Sequence, residues 1–135
     1  MSGSVNKVIL IGNIGDKPKL HRFDDGSVIV RFPLATSETY IKKGTNERID
    51  QTEWHTVVVR NRLGEICDKY LNKGDKVFVE GKIKSRKWED DKGNTRYTVE
   101  IIADNVKFIQ LKKTDAQPFS EEDQDQEQEG KDLPF

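Results

Sequence analysis

The sequence predicts an all-β protein: a small five-stranded Greek-key barrel with one short α-helix between strands three and four, followed by a disordered acidic tail. Three observations predict it. Short apolar runs with a period of two, separated by Gly, Asn and Asp turn residues, recur along residues 5–111. Only the stretch after Asn61 carries a helical period. From Thr114 onward apolar residues nearly vanish, and a run such as SEEDQDQEQEGKD cannot bury enough surface to offset its ordering entropy. At 135 residues the chain has room for one domain, residues 1–113, and a tail, residues 114–135, but not for two cores.

Taken in order, Val5 to Ile11 is rich in Val, Ile and Leu and forms the first strand, which ends in a bend or bulge at Gly12-Asn13-Ile14-Gly15. After Lys17-Pro18, an extended piece around Leu20 to Phe23 runs into Asp24-Asp25-Gly26, a hairpin turn. Ser27 to Tyr40 is a long strand with Val28, Val30, Phe32 and Leu34 on one face, and Pro33 marks an edge or bulge in it. Ile41 to Asp50 has turn residues, two adjacent lysines and no apolar period, which predicts a mobile loop. The third strand is Gln51 to Arg60.

Asn61 is placed to cap a helix in which Leu63, Ile66, Tyr70 and Leu71 fall at i, i+3, i+7 and i+8, and Gly74 to close it. Lys76 to Trp88 alternates again, Asp90 to Asn94 turns the chain, and Arg96 to Leu111 returns as the last strand, with a bulge near Ala103 to Asn105. Phe32, Phe78 and Phe108 lie inside apolar strand patterns and are expected in the core. Three strands, a helix and two strands is the oligonucleotide/oligosaccharide-binding (OB) order, whereas an SH3-like barrel would more often lack the helix.

The third strand, QTEWHTVVVR, sends Trp54, Thr56, Val58 and Arg60 to one face and His55, Val57 and Val59 to the other. A guanidinium on Trp54's face makes an awkward core companion, because it needs water or an anion. A flat, anionic ligand, nucleic acid, suits an open face with both. The pairing recurs: Tyr40 precedes Lys42 and Lys43, Trp54 precedes Arg60 and Arg62, and Trp88 follows Lys84, Arg86 and Lys87. Single-strand binders need rings for bases to stack on and cations to track phosphates. Each ring taken alone could be core, and each cation ordinary surface; the coincidence of all three pairs with the OB order favours binding.

Charge is unevenly distributed. Residues 1–113 carry 22 Lys and Arg against 16 Asp and Glu, a net +6, while residues 114–135 carry one Lys against eight acids, a net −7. A basic body joined to an acidic tail suggests nucleic-acid binding by one and interaction or self-competition by the other. The tail ends in Asp132, Leu133, Pro134 and Phe135, an apolar tip that nothing else in the tail can bury, so another protein is its expected partner.

Other functions find little support. His21 and His55 are far apart, and no Cys or His spacing matches a metal site. The glycines at 12 and 15 and Gly81-Lys82 fit neither a dinucleotide fingerprint nor a P-loop. His55, opposite Trp54, reads as a packing or subunit-contact residue. An enzyme, such as a nuclease, would need a carboxylate or metal cluster on the barrel face, and no cofactor is expected. The single Cys67 excludes an internal disulfide framework, and the short apolar run at Val8 to Ile11 is too brief for a leader or membrane span, so a cytoplasmic location is expected.

VNKVILIGNIG, LATSETY, QTEWHTVVV, EICDKYLNKGDKVFVEGKI, RKW and the ending DLPF closely resemble the bacterial single-stranded DNA-binding protein family. The resemblance implies a homotetramer of OB folds that wraps single-stranded DNA without sequence preference, and a tail tip that recruits replication, recombination and repair proteins. It places Tyr40, Trp54 and Trp88 at base-stacking positions, Lys43, Arg62, Lys73, Arg86 and Lys87 in a basic groove, and His55 at a subunit contact. The chain departs from the family pattern at Arg60, where a fourth aromatic is common, and at Tyr40, where tryptophan is frequent. A second function fits the same fold: an accessory, primosome-like protein that binds a replication partner and touches nucleic acid weakly.

Overall fold

The computed structural model describes residues 3–111. The strands are β1 (Val8–Ile14), β2 (Lys19–Arg22), β3 (Val28–Ile41), β4 (Arg48–Arg60), β5 (Lys76–Glu89) and β6 (Thr95–Gln110), with helix α1 (Asn61–Tyr70) between β4 and β5. The sheet order is β1-β5-β6-β4-β3, and β3 closes back on β1 through Asn13↔Ala35 and Ile14↔Leu34. Every ladder is antiparallel except β4 on β6. This is the predicted OB barrel of five strands; the extended piece before the first hairpin turn is the short flanking strand β2, paired only to β3. The predicted domain boundary at 113, the tail, and the tip at Asp132, Leu133, Pro134 and Phe135 lie outside the described residues.

Period-two alternation fills the barrel. Val28, Val30, Phe32 and Leu34 of β3 meet Val57 and Val59 of β4, Val77 and Val79 of β5, and Ile101 and Val106 of β6, all buried. Pro33 sits where β3's free edge changes partner, between the last β2 pair at Arg31 and the first β1 pair at Leu34. The expected bulge in the last strand is present: Glu80 faces Asn105 and Gly81 faces Ala103, so Asp104 is the extra residue. Cys67 of α1 and Leu71, the residue just after it, join the core, and Gly64 lets the helix come close, since a Cβ there would sit 2.6 Å from the Val59 carbonyl oxygen.

β1 ends inside GNIG as expected, at Ile14, with the bend at Gly15; Gly12 lies where β1 crosses β3, and a Cβ there would reach the Ala35 carbonyl carbon at 3.0 Å. Four expectations are corrected. The predicted loop Ile41 to Asp50 shrinks to Lys42 to Glu47, because β3 and β4 pair as far as Ile41↔Arg48 and take Ile41 and Arg48 to Asp50 into strands. Asn61 is not the helix cap: it is the first helical residue, at φ 55°, and its Oδ1 accepts from Val28 N at 3.4 Å. Gly74 lies beyond the helix, which ends at Tyr70; its N–H donates to Ile14 O at 2.7 Å and ties the turn before β5 to β1. Phe78 is half-buried outside the core, because Val77 and Val79 take the inward positions of β5, while Phe108 packs against the core as expected.

Candidate nucleic-acid interface

The outward face is read from the ladders. On β4, Trp54, Thr56, Val58 and Arg60 alternate with the buried Val57 and Val59. Their β3 partners are Ala35, Pro33, Arg31 and Ile29, and Thr56 and Val58 pair across β6 with Glu100 and Ile102. Those two in turn pair with Lys84 and Lys82 of β5, and Thr98 pairs with Arg86 and Arg96 with Trp88. One continuous face therefore carries Trp54, Trp88, Lys82, Lys84, Arg86 and Arg31.

Trp54 is 62% exposed, and its indole lies against Gly15, where a Cβ would come 2.7 Å from Cη2. Gly15 is thus the shelf on which the ring rests. Gly15 N donates to Pro33 O at 2.9 Å, which fixes the shelf to β3. Trp88 is 40% exposed, and its Nε1–H donates to Thr98 Oγ1 at 2.8 Å. That bond sets the ring's orientation while leaving part of its surface to solvent. The turn beyond Trp88 is held by Asp90, whose carboxylate accepts from Lys92 N at 3.0 Å, Asn94 N at 2.9 Å and Arg96 Nε at 3.0 Å. The hydrogen bond from Asn94, helped by Arg96 and Lys92, holds the Asp90 carboxyl below the usual carboxylate value despite some desolvation.

At the centre of the face the Glu100 carboxylate, 4% exposed, accepts from Arg31 Nε at 3.1 Å and lies 3.5 Å from Arg86 Nε. Sequence reasoning missed Arg31, Thr98 and Glu100. Period two places each on the outward face, but their meeting depends on ladder registers linking residues 69 positions apart.

The other expected residues are distributed around this face. Arg60 shares it, yet it lies six positions along the strand from Trp54, about 20 Å away, so the two are not neighbours. Arg62 follows on the first turn of α1, exposed. Tyr40, 46% exposed, pairs with Ile49 and lies on the opposite pleat from Trp54, farther up the β3–β4 ribbon, with Lys43 at the ribbon's turn. Lys87 pairs with Tyr97 on the pleat opposite Trp88. Lys73 is exposed in the turn that Gly74 ties to Ile14, one residue before Gly15. His55 is half-buried, with Nε2 2.9 Å from Thr36 Oγ1, on the face away from Trp54. Among the described residues no group of three or more His, Cys, Asp or Glu could hold a metal ion, and no helix is long and apolar enough to cross a membrane.

The family profile described as Single-strand binding protein family matches residues 5–109, the barrel and both of its long ribbons. The chain belongs to the single-strand binding protein family. Within it, the chain is 48% identical over 110 residues to a single-stranded DNA-binding protein of Bacteroides thetaiotaomicron, a match covering 81% of this chain and 68% of that one. A single-stranded DNA-binding protein of Rhizobium meliloti is 48% identical over 103 residues, covering 76% of this chain and 59% of the relative, less than two thirds of its length. A solved structure described as Plasmodium falciparum SSB complex with ssDNA matches at a TM-score of 0.71 and 34% identity, over 83% of this chain and 99% of that one. The fold similarity to this member of the family extends over nearly the whole of the solved chain, so the OB barrel is the shared unit.

Proposed function

We propose that the protein binds single-stranded DNA without sequence preference, in the cytoplasm, during replication, recombination and repair. One observation carries this: two indoles, 62% and 40% exposed, stand on a single sheet face threaded by Arg31, Lys82, Lys84 and Arg86. Unpaired bases can stack on the rings, and the cations can follow the phosphates, so affinity needs no particular sequence. The relatives named single-stranded DNA-binding proteins and the neighbour solved with ssDNA support the same ligand. Tyr40, Trp54 and Trp88 are assigned to stacking, and Lys43, Arg60, Arg62, Lys73, Lys84, Arg86 and Lys87 to phosphates. The role is one of binding and protection, without a reaction.

The 1–113 body is assigned to DNA and the 114–135 tail to proteins of replication, recombination and repair, through Asp132, Leu133, Pro134 and Phe135. A homotetramer is the proposed assembly, with His55 at a subunit contact. Exposed Ile9 and Ile11 on β1 support association, because β1 pairs with β3 only at Asn13 and Ile14 and leaves an edge beside Val8 to Gly12. Sedimentation with and without oligo-dT tests it, with a monomer in both runs against it.

The deciding experiment is a tryptophan-fluorescence titration with oligo-dT across a salt series. Quenching is expected, with log affinity falling by about 0.7 per phosphate neutralised for each decade of salt. A duplex of equal length binding as tightly would overturn the proposal. Removing Asp132 to Phe135 should preserve or tighten DNA binding and abolish capture of partner proteins.

A further inference from the structure

We propose that Glu100 is a positioning residue for DNA, its buried carboxylate locking Arg31 and Arg86 into one rigid phosphate-binding pair across the sheet face. This rests on the DNA-binding function proposed above and adds to it a residue whose charge, taken alone, opposes that function.

The geometry points this way. Glu100 lies on β6 between the two arginines, which come from β3 and β5 on opposite sides of the β6–β4 pair. Its side chain is 5% exposed, and each arginine faces it with Nε, Arg31 at 3.1 Å and Arg86 at 3.5 Å. The arginine side chains nonetheless remain 39% and 49% exposed, so each offers further guanidinium surface outward. Both stand on the face of the indoles: Arg31 pairs with Val58, which shares Trp54's pleat, and Arg86 pairs with Thr98, which accepts from the Trp88 indole.

Physical chemistry decides what such an anion does there. Burying a carboxylate is costly unless cations and hydrogen bonds compensate it, and two guanidiniums do so here. Against a polyanion, an extra negative charge weakens attraction. What Glu100 contributes in return is order. A free arginine loses much rotamer freedom on fixing a phosphate, whereas one already held at Nε has lost most of it before DNA arrives. The three groups together keep a charge of about +1, and its two guanidiniums stand at fixed positions.

The test uses the full-length protein and oligo-dT. Wild-type binding is the control: its absence sinks the proposed function itself, whereas its presence isolates the role of Glu100. If charge alone matters, Glu100→Gln tightens binding. Positioning instead predicts about ten-fold weaker binding and a salt slope shallower by about 1, as two cations lose register with phosphates. Tighter or unchanged affinity, or weaker binding with an unaltered slope, overturns the inference. In an Arg31→Gln, Arg86→Gln background, Glu100→Gln should cause no further loss, and an equal loss there also overturns it. Should Glu100→Gln fail to fold, Arg86→Lys decides: it keeps the charge and removes Nε, so binding about five-fold weaker is expected, and unchanged binding refutes the proposal.

Discussion

The Trp54 indole rests on Gly15, in the space that a Cβ at that position would occupy. The glycine lies just past the end of β1, tied by its N–H to Pro33 O, so the ring's support is backbone and cannot swing away. Gly15→Ala should push the indole off its shelf and weaken oligo-dT binding by about 1–2 kcal/mol, a stacking contribution for one base. Combined with Trp54→Ala, the same substitution should add almost nothing. A double-mutant cycle by fluorescence titration checks this, and additive losses would show that Gly15 acts without the ring.

Replacing both indoles with alanine should weaken binding by about 2–6 kcal/mol, at about 1–3 kcal/mol per stacked base. Folding should change little, because neither ring belongs to the core cluster. Unchanged affinity, with thermal unfolding lowered instead, would mean that the rings are structural. Thr98→Val is the finer variant: it removes the acceptor of the Trp88 N–H and should reduce binding less than Trp88→Ala does.

How far these features could be read in advance depended on whether period two had something apolar to act on. The alternation Val28, Val30, Phe32, Leu34 announces its buried face, and Trp54 announces the opposite one, because Val57 and Val59 cannot both be inward unless Trp54 points out. Only the far end of the β3–β4 ribbon, Ile41 and Arg48 to Asp50, reads as loop in the sequence, because it is exposed and carries no apolar period. Phe78 reads as core in the sequence because apolar residues occupy both faces of β5, and alternation separates faces without naming the inner one. Trp54 and Arg60 share a face, but sharing a face does not set distance. The Arg31–Glu100–Arg86 contact arises from three ladders, and single-strand patterns carry no trace of their registers.

Asp90 should govern how firmly Trp88 is presented. Its carboxylate closes the turn between β5 and β6 from three donors, so Asp90→Ala should speed hydrogen exchange at Lys92 and Asn94 with little effect on global unfolding. The pH dependence has a defined sign. The folded-state value is depressed below 3.8, so the turn's added stability is fully present above that value and is lost as pH falls through the folded value. Exchange-corrected protection of these amides should therefore drop only below about pH 4. Loss of protection already at neutral pH would show that the carboxylate does not hold the turn.

Cys67 gives the opposite pH behaviour. Desolvation by burial pushes its thiol from an ordinary 9.0 up to about 12, and no cation or hydrogen bond is among the causes of the shift. A thiolate is the reactive species, so the native protein should resist thiol reagents at pH 8, and modification should follow unfolding. The unfolded chain releases the proton near 9 while the folded chain keeps it, so unfolding gains a proton-release step once pH exceeds that value. Stability is therefore unaffected by this group below about pH 9 and falls by up to about 1.4 kcal/mol per pH unit between there and about 12. Cys67→Ala removes this slope and leaves a small cavity beside Leu71, at about 1 kcal/mol in stability at neutral pH. Denaturant titrations of both proteins at pH 7.5 and 10 measure the difference: the gap should narrow or reverse at the higher pH, and a constant gap would mean that the thiol ionises equally in both states.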